Sequence, residues 1–443
     1  MRPPSIALAS LALTLWLAVP AVGAAQQPVV PNGPLTLLQA IELGRSQGVN
    51  AAIAQLNERA ATARVGQRRA DLLPSINGSA DYSRQTLNLA EFGLRIPGLP
   101  TVTDPFDLYR LQIQASQTIF DASLIGRLRA VRDTAVAAGL DSKAAGEISG
   151  ATAGVAYLQA LSARETVRAR EADSAIAATL LDQARQLVGA GVSPAIDQTR
   201  SEVSFAAVRT QLEVARNSSD RSRLDLLRAL NLPSGTKLEL ADSLGPGALD
   251  LPLDPDSAAE FAQEHRAELA AERARTQAAH RSLGAIRAEY LPSLGLSGYY
   301  KESGQSTSGL DGSYTVQLEL KVPILDGFRR QNRVQEENLR VQIQETRERD
   351  LVNQIETEAR QSVLDVASAE QQVAIAGDRL RLAEQELGQA QQRFQAGVAG
   401  TVETTNAQSS VISARDALIQ ARVNFGTARV GAYRALGVID QLH

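Results

Sequence analysis

The sequence predicts a mostly α chain with a membrane β-barrel, in which long antiparallel coiled-coil helices and four strands are arranged as a two-fold internal repeat. Three observations predict this: a seven-residue apolar period, a long-range duplication, and four short segments of strict apolar and polar alternation. Val366, Val373, Leu380, Leu387 and Phe394 recur every seven residues, and Ala369, Ala376, Ala383 and Ala390 follow three places after the first four. A strict heptad keeps one seam facing a partner helix, and alanine at one core position lets the axes approach closely. After the break Ala396-Gly-Val-Ala-Gly400 the seam resumes as Ala407, Ala414, Ala421 and Ala428, flanked by Val411, Leu418 and Phe425. The arms must fold back on each other, so the break is the tip of a rod.

The duplication shows in paired fragments. Ile119-Phe-Asp121 returns as Ile324-Leu-Asp326, Ala190-Gly-Val192 as Ala396-Gly-Val398, and Arg228-Ala-Leu230 as Arg434-Ala-Leu436, an offset of about 205 residues and far beyond solenoid periods. Leu73-Pro-Ser75 returns as Leu291-Pro-Ser293 at a slightly larger offset, because the first copy has a longer loop around Leu94 to Pro100. The first repeat is 26–231 and the second 257–443, joined by a Pro, Gly and Leu-rich linker, 232–256, expected to pack on the waist of the rod. Prolines 28, 31 and 34 make an extended arm ahead of the first helix.

From the N-terminus, Arg2, the apolar run Ile6 to Val19 and the small residues Ala21 to Ala25 predict a signal peptide over 1–25, too short to span a bilayer. Each repeat then reads helix, strand hairpin, long helix, tip, helix. The first copy places a helix from Thr36 to Ala70, a hairpin at 74–119, a long helix at 122–188, a tip at 189–194 and a helix at 195–230. The second places a helix from Ser257 to Tyr290, a hairpin at 292–323, a long helix at 327–395, a tip at 396–401 and a helix at 402–436. Thr36-Leu-Leu-Gln39 and Ser257-Ala-Ala-Glu260 have capping-box spacing. Asp121 and Asp326 stand where an N-cap would open each long helix, and Ser193-Pro194 offers an N-cap with a first-turn proline. Two short helices end to end match one long helix of roughly 100 Å, which makes a uniform rod. Gly146, Gly150 and Gly154, four residues apart, predict close helix approach.

The strands decide the kind of rod. Tyr314, Val316, Leu318, Leu320 and Val322 alternate with Ser313, Thr315, Gln317, Glu319 and Lys321. Ile76, Gly78, Ala80 and Tyr82 alternate with Ser75, Asn77, Ser79 and Asp81, and Tyr109, Leu111, Ile113 and Ala115 with Arg110, Gln112, Gln114 and Ser116. Leu294, Leu296, Gly298 and Tyr300 complete the set. About ten alternating residues suit a tilted strand across an outer membrane, as they also suit a half-buried soluble sheet. The export signal and the polar opposite face favour the barrel. Four strands cannot close around polar side chains, and an open edge is not tolerated in lipid, so the chain must oligomerise. A homotrimer supplies twelve strands and a wet lumen lined by Asp81, Arg110, Gln112, Gln317, Glu319 and Lys321.

Composition excludes much else. There is no cysteine, and the net charge of −4 with interleaved acids and bases gives no footprint for nucleic acid. His265, His280 and His443 have no ligand spacing, and no phosphate loop, zinc motif or nucleophile elbow is present. No cofactor, metal or catalytic residue is expected, and the chain does not read as an enzyme.

The order of these motifs, twice over, resembles the TolC-type outer-membrane efflux proteins across nearly all of the chain after the signal peptide. Leu35-Thr-Leu-Leu-Gln-Ala-Ile41, the paired Leu-Pro-Ser strand starts, Val322-Pro-Ile-Leu-Asp-Gly-Phe-Arg-Arg330 and Arg393-Phe-Gln-Ala-Gly-Val398 carry the resemblance. It implies a trimer with a twelve-stranded outer-membrane barrel and a periplasmic tunnel of helices, the exit duct of tripartite pumps and type I secretion systems. Its partners would be a periplasmic adaptor, an inner-membrane pump and outer-membrane lipid. It also implies a channel constriction at Glu403 and Asp197, just past the tips, although Asn406 stands where relatives often carry a further acid. An acid in a first helical turn is also favoured by the macrodipole alone. The tip residues Gly189, Gly191, Val192, Ser193, Gly397, Val398 and Gly400 become adaptor contacts on the same resemblance, and ordinary turn residues without it. The rival reading is a secreted coiled-coil scaffold without channel activity.

Overall fold

The computed structural model describes residues 33–93, 98, 100–245, 254–396, 398 and 400–442. The expected signal peptide, most of the loop at 94–100, residues 246–253 of the linker, Gly397 and His443 lie outside the described residues. The order is α1 (Leu37–Gln47), α2 (Val49–Ala70), β1 (Ser75–Gln85), β2 (Phe106–Phe120), α3 (Ala122–Gly189), α4 (Ala195–Ala229), α5 (Pro255–His265), α6 (Ala267–Arg287), β3 (Ser293–Gly304), β4 (Asp311–Lys321), α7 (Arg329–Gln395) and α8 (Thr401–Ala435). The four strands form one antiparallel sheet in the order β1-β2-β3-β4. At 68 and 67 residues, α3 and α7 each run roughly 100 Å. Towards the sheet α3 packs on α1, α2 and α6, and towards its far end on α4 and α8.

The heptad seam forms the far half of the rod. Ala383, Leu387 and Ala390 bury against Ala407, Val411 and Ala414. Val366 and Ala369 meet Phe425, and Ala376 meets Leu418 and Ala421. The larger core lies at the waist, where Tyr157, Leu161, Leu226, Leu230, Ile355, Tyr433 and Leu436 are buried together. Linker residues dock there: Leu35 bridges Leu240, and the Tyr157 hydroxyl lies 2.8 Å from the Leu35 carbonyl and 2.9 Å from the Asp242 carboxylate.

The first helix of each repeat, expected to be continuous, is broken in two. The first break is at Gly48, beside the glycine stripe of α3. A Cβ on Gly44 would lie 2.5 Å from Ala153 Cβ, and one on Gly150 2.5 Å from Arg45 Cγ, so α1 and α3 meet at a distance only glycine permits. The second break is at Arg266, whose buried guanidinium binds the carboxylate of Glu268, Glu358 at 2.7 Å and the Ala435 carbonyl at 3.3 Å.

Helix starts follow the sequence unevenly. Thr36 and Gln39 make both capping-box bonds, and Asp121 accepts from the amides of Ser123 and Leu124. Asp254, not Ser257, caps α5, and its carboxylate accepts from the Ser257 amide at 2.9 Å. Asp326 is not the N-cap residue of α7, a place taken by Phe328, but its carboxylate still accepts from the Arg330 amide in the first turn at 3.3 Å. The chain turns through left-handed Gly327 and Phe328 (φ 65° and 64°), and Asp326 pairs with Arg330 at 2.7 Å. Pro194 stands one residue outside α4, in the place expected for Ser193.

Candidate functional site

Two regions carry the candidate residues, the sheet and the two helical tips. In the sheet the register decides which side chains share a face. Asp81 pairs with Arg110 and Ser79 with Gln112 on the β1-β2 ladder. Ser297 pairs with Gln317, Gly295 with Glu319 and Ser293 with Lys321 on the β3-β4 ladder. Because side chains alternate with period two, this register puts Asp81, Arg110, Gln112, Gln317, Glu319 and Lys321 on one face. Ile76, Ala80, Leu111, Ile113, Tyr300, Val316 and Leu318 take the other. Among the described residues neither edge strand, β1 or β4, has a further neighbour, and β4 is exposed throughout.

At the first tip α3 ends in a Schellman motif. Gly191 lies in the left-handed region (φ 70°), its N–H donates to the Val188 carbonyl at 3.0 Å, and the Val192 N–H donates to the Leu187 carbonyl at 2.9 Å. The second tip repeats the outer bond, from the Val398 N–H to the Arg393 carbonyl at 3.1 Å. Val192 and Val398 are both well exposed. Gly189 ends α3, Ser193 donates its N–H to the Leu187 carbonyl at 3.2 Å, and Gly400 immediately precedes α8. Beside the tips, α4 and α8 enclose a groove of about 480 Å³ lined by Val203, Val208, Val402, Thr405 and Ile412.

The two acids expected at a constriction are not equivalent. Glu403 is exposed and pairs with Arg393 across the tip at 3.1 Å. Asp197 is 6% exposed, and its Oδ1 accepts a 2.6 Å bond from the Thr401 hydroxyl at the start of α8, with Arg200 at 3.9 Å. Its carboxylate therefore points into the protomer, towards the second tip.

The model of the outer membrane efflux protein family matches residues 42–232 and 259–438, the two repeats. The chain belongs to that family. Protein CyaE of Bordetella pertussis is 27% identical over 92% of this chain and 85% of its own length. The pyoverdine export outer membrane protein OpmQ of Pseudomonas putida is 28% identical over 90% and 85%. Among solved structures, the Campylobacter jejuni CmeC outer membrane channel superposes with a TM-score of 0.78 at 16% identity, over 94% of this chain and 91% of that one. As an outer membrane efflux protein, the chain resides in the outer membrane and serves as an exit duct for efflux or type I secretion.

One feature of this efflux protein escapes sequence reading. On α3, Asp173 is 1% exposed in a stripe of Ala169, Ala177, Leu180 and Ala184. It binds Arg170 at 2.8 Å and Arg415 of α8, while Arg170 also reaches Asp416 and Arg415 lies 3.5 Å from Glu384 of α7. Gln408 donates to the Asp173 carbonyl at 3.3 Å. This network ties the first helical hairpin to the second. An aspartate interrupting an alanine stripe, with Arg170 one turn before it, was the available signal, but its partners on α8, Arg415 and Gln408, lie more than two hundred residues away in sequence.

Proposed function

We propose that the protein works as a homotrimer whose twelve strands close an outer-membrane barrel and whose helices continue it as a periplasmic tunnel. The supporting observation is the sheet register: Asp81, Arg110, Gln112, Gln317, Glu319 and Lys321 share one face and most apolar side chains the other, where Arg84, Asp107, Glu302 and Gln117 are the exceptions, and among the described residues both edges lack a neighbour. Closing those edges with two further copies satisfies every strand edge in lipid. Asp81, Arg110, Gln112, Gln317, Glu319 and Lys321 then line the water-filled lumen.

At the far end the tips, Gly189 to Ser193 and Ala396 to Gly400, receive a periplasmic adaptor that connects the duct to an inner-membrane pump. Val192 and Val398 are the contact points, since each presents an apolar side chain on a tight turn. The periplasmic mouth is the constriction. Glu403 carries its charge, tempered by Arg393, and Asp197 holds the start of α8 in place through Thr401. Threefold symmetry repeats each Glu403 around the axis, and a carboxylate ring in a narrow lumen favours cations.

The test is reconstitution in planar bilayers with heat-modifiable trimers as the assembly readout. Wild type should conduct, and Glu403→Gln should lose cation preference with trimers intact. Leu318→Lys should block insertion far more than Gln317→Lys, because lysine on the lipid face near the midplane costs about 2–4 kcal/mol. A paired Val192→Asp and Val398→Asp variant should keep its conductance and lose export in cells. A soluble, monomeric pool without conductance would instead identify a scaffold.

A further inference from the structure

Where the sheet meets the helices, all four junctions expose large apolar side chains: Leu73, Phe120, Leu291, and on the β4 to α7 segment Ile324, Leu325 and Phe328. Ile324 and Leu325 are 92% and 81% exposed, more than any other large apolar residue among those described. Val322 and Ile324 prolong the alternation of β4, whose apolar face already runs from Tyr314 to Leu320. Phe328 is also strained, since a bulky residue at φ 64° is uncommon and persists only where its surroundings demand it. An eleven-residue strand tilted by about 40° rises roughly 28 Å, close to the ~25 Å apolar band of an outer-membrane barrel. The junctions therefore lie at the edge of that band.

A band of arginine follows. Arg69 ends α2, Arg129 lies two turns into α3, and Arg329 opens α7, where the helix dipole disfavours a cation. None of the three has an ion pair within 4 Å among the described residues, and the neighbouring acids Asp71, Glu289 and Asp326 are already engaged by Arg68, by Arg127 and Arg333, and by Arg330, with Arg329 acting on Asp326 only at longer range. The chain as a whole is net negative, so this local excess of cation is a departure from its average.

We propose that this collar is a docking surface for the anionic phospholipids of the periplasmic leaflet. Ile324, Leu325 and Phe328 enter the acyl-chain boundary, and Arg69, Arg129 and Arg329 receive headgroup phosphates. The occupant is argued from continuity with the lipid-facing side of β4 and from charge complementarity, in the pattern of apolar and basic residues at membrane interfaces. The proposal rests on the barrel reading above.

The test uses the trimer in vesicles; Trp16, the one tryptophan of the sequence, lies in the expected signal peptide, so an introduced indole is the sole tryptophan reporter. Phe328→Trp is the collar reporter and Leu318→Trp the barrel control. Brominated phosphatidylglycerol and brominated phosphatidylcholine are the quenchers, and iodide probes exposure to water. Both indoles should be quenched by brominated lipid. At position 328 phosphatidylglycerol should be preferred several-fold, a preference that falls to about one when Arg129 and Arg329 become Gln. Quenching at 318 with none at 328 would overturn the collar and leave the barrel standing. In that case shielding from iodide would mean that a neighbouring copy covers the collar, and iodide access would mean that it faces water. No lipid quenching at 318 would overturn the barrel itself. Equal quenching by the two lipids at 328 would remove the headgroup site.

Discussion

Asp197 and Glu403 occupy the same position in the two repeats, the third residue of the helix after each tip, yet one is buried and the other exposed. Duplication gave both helices an acid where the dipole welcomes it. Packing then divided the two. The start of α8 lies against the start of α4, so the Thr401 hydroxyl reaches Asp197, while the neighbour of Glu403 is Arg393 on its own hairpin. A residue's place in a repeat therefore does not settle its role, because the two hairpins stand in different surroundings. The first hairpin carries the buried acids that bind the second, and the second carries the exposed acid.

The largest effect should come from the deepest of these acids. Asp173→Ala removes the carboxylate that compensates Arg170 and Arg415, and breaking such a buried pair costs about 3–5 kcal/mol. Denaturant melts should show the loss, and proteolysis should open first between the hairpins. A loss under about 1 kcal/mol would mean that Asp416 and Glu384 hold the arginines unaided.

Glu147 sharpens the comparison as a buried acid without a good partner. Burial raises its pKa from 4.5 to about 7, Lys143 is 3.9 Å away and opposes the rise, and Glu268 and Asp440 reinforce it. A folded-state value above the unfolded one means that the native protein holds the extra proton between them. Stability should therefore rise as pH falls from about 7 towards 4.5, with the full penalty, of order 1–3 kcal/mol, present above pH 7. Glu147→Gln should raise Tm at pH 8 and match wild type at pH 5. An unchanged profile would place this carboxylate in a wetter site.

Asp197→Ala should cost about 1–3 kcal/mol by leaving the Thr401 hydroxyl unpaired, and Thr401→Val combined with it should add little more. Fully additive losses would separate the two groups. The smallest effect belongs to Glu403→Gln: an exposed pair should change stability by no more than about 0.5 kcal/mol even as channel selectivity changes. A larger fall in Tm would make the two tips alike after all.

Periodicity and duplication were enough to establish the long helices, their fold-back, the strand hairpins and the polar and apolar sides of each strand. Heptads and two-residue alternation are local records of which face is buried, so one sequence displays them in full. The glycine stripe on α3 announced a close approach in the same way, and α1 fills it. Tertiary structure alone decided what depends on residues far apart in the chain. Helix breaks at Gly48 and Arg266 answer to α3, Glu358 and the end of α8. Phe328, in the left-handed region, takes the N-cap place of α7, and Asp326 reaches the helix start from two residues further out. Asp173 finds Arg415, and Asp197 finds Thr401, only when two hairpins from separate repeats lie side by side. A charge's partner is set by distance in space, and periodicity within one helix contains no information about the helix beside it.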